Sequence, residues 1–208
     1  MAVKYFIYII LGYLSGSVLY AYWVPKYFSG IDIRELSDDN NPGTANAFVY
    51  AGFGVGIIVL LLELAKGFVP VYIAKGILSK SGLCFSLIMA SPVVGHAMPL
   101  FNRGRGGKCI AVSFGVLLGL YPELMPVVIL AAVYIFFSAI VVIKPHLLRS
   151  IATFLIFAFL ITLFCREPGV KLGCLFIAVI VIGQHIRSKD REECELPLWE
   201  MSDGRGNK

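Results

Sequence analysis

Apolar residues fill seven long runs of the chain, and short polar or basic gaps separate these runs. The runs cover residues 5–24, 48–77, 83–101, 110–122, 124–143, 147–164 and 170–186. About twenty apolar residues in a helix cross a bilayer core that is about 30 Å thick. The pattern therefore predicts an all-α integral membrane protein with seven transmembrane helices. The fourth run is short, roughly 20 Å at 1.5 Å per residue, so we expect it either to span poorly or to begin deep in the protein.

The composition agrees with a membrane protein. Of the 208 residues, 58% are hydrophobic and 15% are charged, and the mean hydropathy is +0.83. These values exclude an ordinary soluble domain. The formal net charge is +5, but the basic residues stand in gaps between apolar runs, which favours a role in membrane topology over nucleic-acid binding. We therefore expect contact with membrane lipid and no nucleic-acid partner.

Lysine and arginine concentrate in alternate gaps of the seven-span pattern. The gaps at 25–47 and 102–109 and the segment after residue 186 hold most of them. Because cytoplasmic loops carry such an excess, the bias predicts an N-terminus outside and a C-terminus in the cytoplasm. We expect residues 1–190 to form one membrane domain and residues 191–208 to form a polar cytoplasmic tail. The first run is expected to stay as a span and not to be cleaved as a signal peptide.

Three pairs of glycines stand four residues apart within the apolar runs. They are Gly12 with Gly16, Gly52 with Gly56, and Gly115 with Gly119. This spacing lets helix backbones approach closely in lipid. We expect a helix–helix contact at each pair.

The chain lacks the motifs of metal-assisted and covalent catalysis. Its five cysteines have no metal-type spacing. A nucleophile elbow, an HEXXH zinc motif and a P-loop are also absent from the sequence. We therefore expect no metal and no cofactor, and the sequence offers no evident nucleophile.

The stretch Gly95–Cys109, which reads GHAMPLFNRGRGGKC, combines glycines with basic side chains. Glycines allow backbone conformations that are closed to other residues and let backbone N–H groups approach a ligand. Arg103, Arg105 and Lys108 add charge-assisted donors for phosphate. We interpret the basic end of this stretch, residues 102–109, as an anion-binding element and name it the glycine loop. The alternative is a basic loop that fixes topology or touches anionic lipid head groups.

A second polar stretch, Ser37–Asn46, leads directly into the second apolar run. Asparagine, glycine and threonine before a helix form a good cap, and the N–H groups of the first turn attract an anion. A cap alone would also explain these residues. Asp38 and Asp39 oppose phosphate binding unless they face a positive partner or accept a hydroxyl proton. The predicted topology places this stretch on the same side as the glycine loop, so the two can build one site.

Five further polar residues lie inside or beside the apolar runs. Glu63 and Lys66 stand three apart, share a helix face and can pair, and we favour structural support over a role in a substrate pocket. His96 ends the third run and His185 ends the last, on the same predicted side as the glycine loop. This convergence favours catalysis or phosphate contact. We expect His146 to be an interfacial residue.

These motifs together resemble one family. The pattern GHxxPxF followed closely by GGK, with NxG and Asn46 before an apolar run containing LLLELAKGF, resembles the acyl-phosphate-dependent glycerol-3-phosphate acyltransferases of bacterial membranes, the PlsY family. The similarity extends over nearly the whole chain and is most specific around the glycine loop. The resemblance implies transfer of an acyl group from acyl phosphate to the 1-hydroxyl of glycerol 3-phosphate. It also implies a multi-pass protein of the bacterial inner membrane that makes lysophosphatidic acid for phospholipid synthesis.

The resemblance assigns roles to individual residues. His96, Lys108 and His185 would be catalytic, with the histidines orienting substrate or relaying a proton. One phosphate would be held by the polar stretch before the second run, and the other by the glycine loop. The substrate-binding set is Asn41, Gly43, Thr44, Asn46, Arg105, Gly106, Gly107 and Ser188.

Several positions depart from the family's motifs. The departures are Asp39 for a serine, Thr44 and Ala45 in exchanged order, Val49 for an arginine, Cys109 for a glycine and Ser188 for an asparagine. They remove a cation and add an acid where glycerol 3-phosphate is expected to bind. Three alternatives therefore stay open: the same fold acylating a different polar acceptor, a non-catalytic lipid-binding membrane protein and, last, a small transporter, against which the lack of an internal repeat counts.

Overall fold

The structure is a computed structural model that describes residues 2–37, 40–102 and 105–187. Within these ranges the chain folds into α-helices, with a 3₁₀ turn at Leu100–Asn102 and a π-helical turn at Phe136–Ile140. The helices are α1 Ala2–Ser17, α2 Tyr20–Ser29, α3 Ile33–Leu36, α4 Thr44–Ala51, α5 Phe53–Ile77, α6 Leu83–Ala97, α7 Ile110–Leu118, α8 Met125–Ile135, α9 His146–Phe164 and α10 Pro168–Arg187. The predicted all-α class is confirmed for the described ranges, and the predicted tail at 191–208 lies outside them.

Five stretches of the described chain are long and apolar enough to cross a membrane. They are Ala2–Ser29, Phe53–Ile77, Leu83–Asn102, His146–Phe164 and Pro168–Arg187. The apolar stretch Met125–Ile140 is shorter, and α7 has nine residues. The protein is therefore a multi-pass membrane protein, and the five long stretches correspond to five of the seven predicted runs.

Two of the predicted runs contain a break in the helix. The first run divides into α1 and α2 at Val18 and Leu19. In the second run Gly52 separates α4 from α5 with a φ of +87°, a backbone conformation that favours glycine. The second break allows α4 to leave the line of α5 and to carry its N-terminus to the polar loops.

Glycines allow close helix contacts at two of the three predicted pairs. A methyl group at Gly12 or Gly16 on α1 would overlap Ser91 or Pro92 on α6, and one at Gly115 on α7 would overlap the backbone of α5. The pair Gly52 and Gly56 meets the prediction only at Gly56. Gly52 is the break described above, and Gly56 packs against the ring of Phe48 in the preceding helix α4.

The core surrounds α6, which packs against α1 and against α10. Phe85 of α6 and the α9 residues Phe154 and Phe157 are fully buried in it. On the other side, α5 packs against α4 and α7. This arrangement brings the ends of α4, α6, α7 and α9 together around one cavity.

Candidate active site

One cavity of about 620 Å³ opens between α4, α5, α7 and α9. Its walls combine polar groups from helix ends and loops with apolar side chains from helix interiors. The lining residues are Asn41, Gly43, Thr44, Ala45, Asn46, Tyr50, Leu60, Glu63, Leu64, His96, Lys108, Cys109, Ile110, Ala111, Phe114, Leu118, Tyr134 and His146.

The apolar part of the cavity follows α7. Its lining side chains on this helix run from Ile110 to Leu118, which is about 12 Å along a helix axis. Phe114 meets Tyr134 of α8 edge to face, with the ring centroids 6.3 Å apart. We name this part the apolar arm. It extends away from the end of the cavity where the polar residues gather.

The N-terminus of α4 forms one wall of the polar end. Gly43 is the N-cap in an extended conformation, and no side chain caps the helix from this position. The Asn46 amide donates to the carbonyl of Asn41 at 2.9 Å, and the Gly43 N–H donates to the same carbonyl at 2.8 Å. These bonds hold the loop so that the first-turn N–H groups of α4 lie at the cavity, where a helix N-terminus attracts an anion.

The glycine loop packs directly against the end of α6. The Gly107 N–H donates to the carbonyl of His96 at 3.2 Å. A methyl group at Gly106 would overlap that carbonyl, and one at Gly107 would lie 2.5 Å from His96 Nε2 and 3.3 Å from Asn41 Oδ1. Only glycine leaves room for this approach. The two polar loops therefore meet at His96, between Asn41 and the glycine loop.

Cys109 ends the glycine loop in a left-handed conformation. Its φ is +65°, so the glycine that the resemblance expects here would suit the backbone better than cysteine does. The thiol is buried, and it donates to the carbonyl of Val93 at 3.6 Å and to that of Gly107 at 3.3 Å. Burial raises the pKa of the Cys109 thiol well above its usual range, which disfavours a thiolate.

A chain of polar contacts also joins α3 to the glycine loop. Arg34 forms an ion pair with Asp32 at 2.7 Å and donates to Asn102 Oδ1 at 3.0 Å. Asn102 in turn donates to the carbonyl of Arg105 at 2.6 Å. The hydrogen bonds from Arg34 hold the pKa of the Asp32 carboxyl below its usual range. The Arg105 backbone is thus tied to α3, while its side chain is exposed.

Behind the polar end lies a buried cluster of Glu63, Lys66 and His96, none more than 5% exposed. Three acceptors surround the Lys66 ammonium: Glu63 Oε2 at 2.7 Å, the Val18 carbonyl at 2.7 Å and His96 Nδ1 at 2.8 Å. An ammonium group has three N–H donors and no acceptor. The three contacts therefore use its full donor capacity.

The same cluster forms hydrogen bonds with the backbone groups that the break between α1 and α2 leaves without helical partners. Glu63 Oε1 accepts the backbone N–H of Tyr20 at 3.1 Å and that of Ala21 at 3.4 Å, at the start of α2. Lys66 satisfies the Val18 carbonyl on the other side of the break. Backbone groups at membrane depth need such partners because lipid offers none. The predicted supporting role of this pair thus has a geometric basis, although Glu63 also lines the cavity.

The contacts of His96 Nδ1 favour one tautomer of the ring. Nδ1 lies 2.8 Å from the Lys66 ammonium, which can only donate, and 3.2 Å from Glu63 Oε2, which can only accept. The shorter contact favours an accepting Nδ1, and the proton of a neutral imidazole then resides on Nε2. Nε2 faces the glycine loop, where a methyl group on Gly107 would lie 2.5 Å from it. His96 therefore offers the polar end an N–H donor rather than a basic nitrogen.

The predicted site residues fall into four groups. Those that line the cavity are Asn41, Gly43, Thr44, Asn46, His96 and Lys108. Gly106 and Gly107 support the site from behind, against His96. Arg105 and His185 are not lining residues, and His185 is fully buried. Ser188, Asp38, Asp39 and Arg103 lie outside the described residues.

Sequence reasoning missed two features of the site. It did not connect His96 with the Glu63–Lys66 pair, because a separation of 30 residues between Lys66 and His96 carries no periodic signal. It also assigned His146 to the interface, whereas His146 lines the cavity. Within the described ranges, no group of three or more His, Cys, Asp or Glu side chains is arranged to hold a metal ion.

Comparison with known proteins gives the same family description from a sequence profile and from individual relatives. The sequence profile of the family described as glycerol-3-phosphate acyltransferase matches residues 6–192. A glycerol-3-phosphate acyltransferase of Hydrogenobaculum sp. is 32% identical over 176 residues, which cover 85% of this chain and 87% of the relative. One from Fusobacterium nucleatum is 32% identical over 186 residues, covering 87% of this chain and 90% of the relative.

Two solved structures share the fold. The crystal structure of PlsY, an integral membrane glycerol 3-phosphate acyltransferase, in its glycerol 3-phosphate form matches with a TM-score of 0.77 at 23% identity. The lysophosphatidic acid form matches with a TM-score of 0.75 at 22% identity. Each alignment covers 98% of this chain and 96% of the other. With the profile match over most of the sequence, these findings show that the chain belongs to the glycerol-3-phosphate acyltransferase family.

Proposed function

We propose that the protein transfers an acyl group from acyl phosphate to the 1-hydroxyl of glycerol 3-phosphate. The products are lysophosphatidic acid, for phospholipid synthesis, and free phosphate. The observation that carries this proposal is a single cavity with an anion-attracting polar end and an apolar arm. Such a cavity suits a donor that joins a phosphate to an acyl chain and an acceptor that carries a second phosphate.

The phosphates occupy the polar end in this proposal. The N-terminus of α4, with Asn41, Thr44 and Asn46 around it, supplies backbone and amide donors. Lys108 adds a cation from the opposite loop, and His96 adds the N–H at Nε2. Gly43, Gly106 and Gly107 keep the backbone close enough for these groups to converge. In this proposal Arg105 acts from the exposed outer surface of the loop, and Ser188 is kept as a binding residue on the resemblance alone.

The apolar arm holds the acyl chain. Burial of methylene groups contributes about 0.8 kcal/mol each, so an acyl chain gains affinity from an apolar wall of this length. Phe114 and Tyr134 form part of that wall. The acyl carbonyl then lies where the arm meets the polar end, close to His96 and Lys108.

The reaction is a direct displacement on the acyl carbonyl carbon. The 1-hydroxyl oxygen of the acceptor forms the new ester bond, the bond from the carbonyl carbon to the phosphate oxygen breaks, and the hydroxyl proton leaves with the released phosphate. Acyl phosphate is already activated, so no protein nucleophile is required, and the protonated Cys109 thiol does not offer one. Catalysis rests on positioning and on donors to the developing oxyanion, and in this proposal His96 and Lys108 supply those donors.

We extend the proposal to the topology. Seven crossings result when α7 and the α8 stretch Met125–Ile140 are added to the five long stretches. The nine residues of α7 span only roughly 14 Å, which suits a helix that begins at depth where the glycine loop lines a cavity. The N-terminus is outside and the C-terminus cytoplasmic, in a bacterial inner membrane. With the exposed Cys84 replaced by serine, a membrane-impermeant maleimide applied to cells should then label Ser79→Cys and not Gly30→Cys, and the reverse would refute this orientation.

The activity is tested with the purified protein in detergent. We expect lysophosphatidic acid to form from palmitoyl phosphate and glycerol 3-phosphate, and formation to fall by at least about a hundredfold in Lys108→Ala, because a donor to the developing charge is lost. Formation that does not depend on Lys108 would refute the proposed site. Phosphate release without lysophosphatidic acid, or acylation of other polar alcohols in preference to glycerol 3-phosphate, would favour a different acceptor.

A further inference from the structure

Two histidines on neighbouring helices stack at the α9 side of the cavity. The rings of His146 and His185 have centroids 5.8 Å apart and planes inclined by 18°. His146 is the first residue of α9 and lines the cavity. His185 is in the last turn of α10, is fully buried and is not a lining residue. The histidine that reaches the cavity from this side is therefore His146.

Contacts within each helix hold both rings in place. His185 Nδ1 donates to the carbonyl of Val181, one turn earlier on α10, at 2.9 Å. His146 Nδ1 lies 3.5 Å from Oγ of Ser150, one turn later on α9, and Ser150 is 1% exposed. The ring of His146 is thus held between a stacked ring and a hydroxyl of its own helix. A side chain fixed in this way loses little conformational entropy when it contacts a ligand.

The surroundings of His146 favour an anionic ligand. The lining residues also include Lys108 and the N-terminal residues of α4. Glu63 is the carboxylate among the lining residues of the described chain, and it is paired with Lys66 at 2.7 Å. A neutral imidazole supplies one N–H donor and an imidazolium supplies two, so either form can donate to a phosphate oxygen.

We propose that His146 donates a hydrogen bond to a phosphate oxygen of a substrate, and that His185 is a positioning residue that acts through it. The inference rests on the proposed function, in which both substrates carry a phosphate monoester or an acyl phosphate. It moves the direct contact from His185 to His146, because only His146 lines the cavity. Through the stacked rings, His185 on α10 fixes the orientation of the His146 ring that contacts the substrate.

The test compares His146→Phe, His146→Gln and His185→Phe by the KM of each substrate and by kcat. Phenylalanine keeps a ring for the stack and removes the donor, so His146→Phe is expected to raise the KM of one phosphate substrate by at least about tenfold. The substrate whose KM rises, glycerol 3-phosphate or palmitoyl phosphate, is the one whose phosphate His146 contacts. Glutamine restores an N–H donor and is expected to recover most of the loss. His185→Phe is expected to raise the same KM by a smaller factor.

A control on the same helical turn is Leu148→Phe, since Leu148 is 37% exposed and lies outside the cavity lining. It is expected to leave both KM values unchanged. Wild-type KM values in His146→Phe, or a larger effect of His185→Phe than of His146→Phe, would overturn the inference while the proposed function stands. Failure of His146→Gln to recover the KM would overturn the donor role.

The same preparations separate this failure from a failure of the proposed function. A ligand that binds only the folded protein raises its Tm. If neither glycerol 3-phosphate nor palmitoyl phosphate raises the wild-type Tm and no acyl transfer occurs, the proposed function and the inference both fail. If the wild type is stabilised and His146→Phe is stabilised equally by both ligands, only the inference fails.

Discussion

The carboxylate of Glu63 and the ammonium of Lys66 lie 2.7 Å apart, and both side chains are 1% exposed. Glu63 also accepts two backbone N–H groups at the start of α2, and Lys66 donates to the Val18 carbonyl and to His96. The pair therefore joins the broken first span to the residue at the back of the cavity. One ion pair serves the fold and the site together.

Breaking this pair is expected to destabilise the protein more than replacing both partners. Glu63→Gln or Lys66→Met leaves a buried charge without its partner, a change that costs about 3–5 kcal/mol in comparable sites. The double variant leaves no unpaired charge and is expected to lose less than the sum of the two. Unfolding midpoints in detergent of the wild type, both single variants and the double variant measure this. Additive losses would show that the two side chains act independently.

The glycine at position 107 is expected to be essential for activity. A methyl group there would lie 2.5 Å from His96 Nε2, so Gly107→Ala must displace the histidine or the loop. Since a misplacement of about 1 Å can cost about a hundredfold in rate, we expect a loss of that order in kcat/KM. Gly76→Ala is the matched control, because Gly76 lies on α5 with nothing within 4 Å of the added atom. Equal activity of the two variants would contradict the close packing of the loop.

The left-handed backbone at Cys109 predicts that a glycine variant at this position is more stable than a valine variant. A buried apolar position ordinarily favours valine over glycine, but at a φ of +65° a β-branched residue is strained and glycine is not. We therefore expect the Tm of Cys109→Gly to exceed that of Cys109→Val. Cys109→Ala, which keeps the Cβ atom and removes the sulfur, separates backbone strain from loss of the thiol contacts. A higher Tm for the valine variant would show that side-chain packing decides at this position.

Asp32 gives a pH dependence whose sign follows from its environment. Hydrogen bonds from Arg34 lower the folded-state pKa of Asp32, so this carboxylate contributes stability above the unfolded-state pKa of about 3.9. The contribution disappears as the pH falls through the lower folded-state value. The Tm difference between the wild type and Asp32→Asn should be constant from about pH 7 to pH 5 and shrink below about pH 4. We expect this Tm difference to correspond to less than about 1 kcal/mol of stability. Glu35→Gln, at an exposed position on α3, is the control.

Much of the architecture could be predicted from hydropathy, because each span must be apolar over its own length. The breaks at Val18 and at Gly52 could not be predicted in this way. Val18 follows Ser15, Gly16 and Ser17, but small residues of this kind are equally typical of helix packing in a membrane. The groups that satisfy the break come from Glu63 and Lys66 on another helix. Gly52 belongs to a glycine pair that is equally typical of helix packing.

The site, too, contains features that the sequence predicts and features that it does not. Glycines and basic residues close together in the sequence could be assigned to an anion loop, since their function depends on local composition. The meeting of His96 with Lys66, and of His146 with His185, depends on how distant helices pack. No periodicity within one segment carries that information, so His146 was predicted at the interface although it lines the cavity.

The apolar arm predicts selection among acyl donors, which rests on the proposed function. Ala111 lines the arm in the first turn of α7, so Ala111→Phe would fill the space that a long acyl chain needs. We expect the KM of palmitoyl phosphate to rise at least about tenfold, because several buried methylene groups at about 0.8 kcal/mol each lose their place. The KM of acetyl phosphate and that of glycerol 3-phosphate should change little. Ala132→Phe, at an exposed position on α8, is the control, and an equal rise for acetyl and palmitoyl phosphate would place the acyl chain elsewhere.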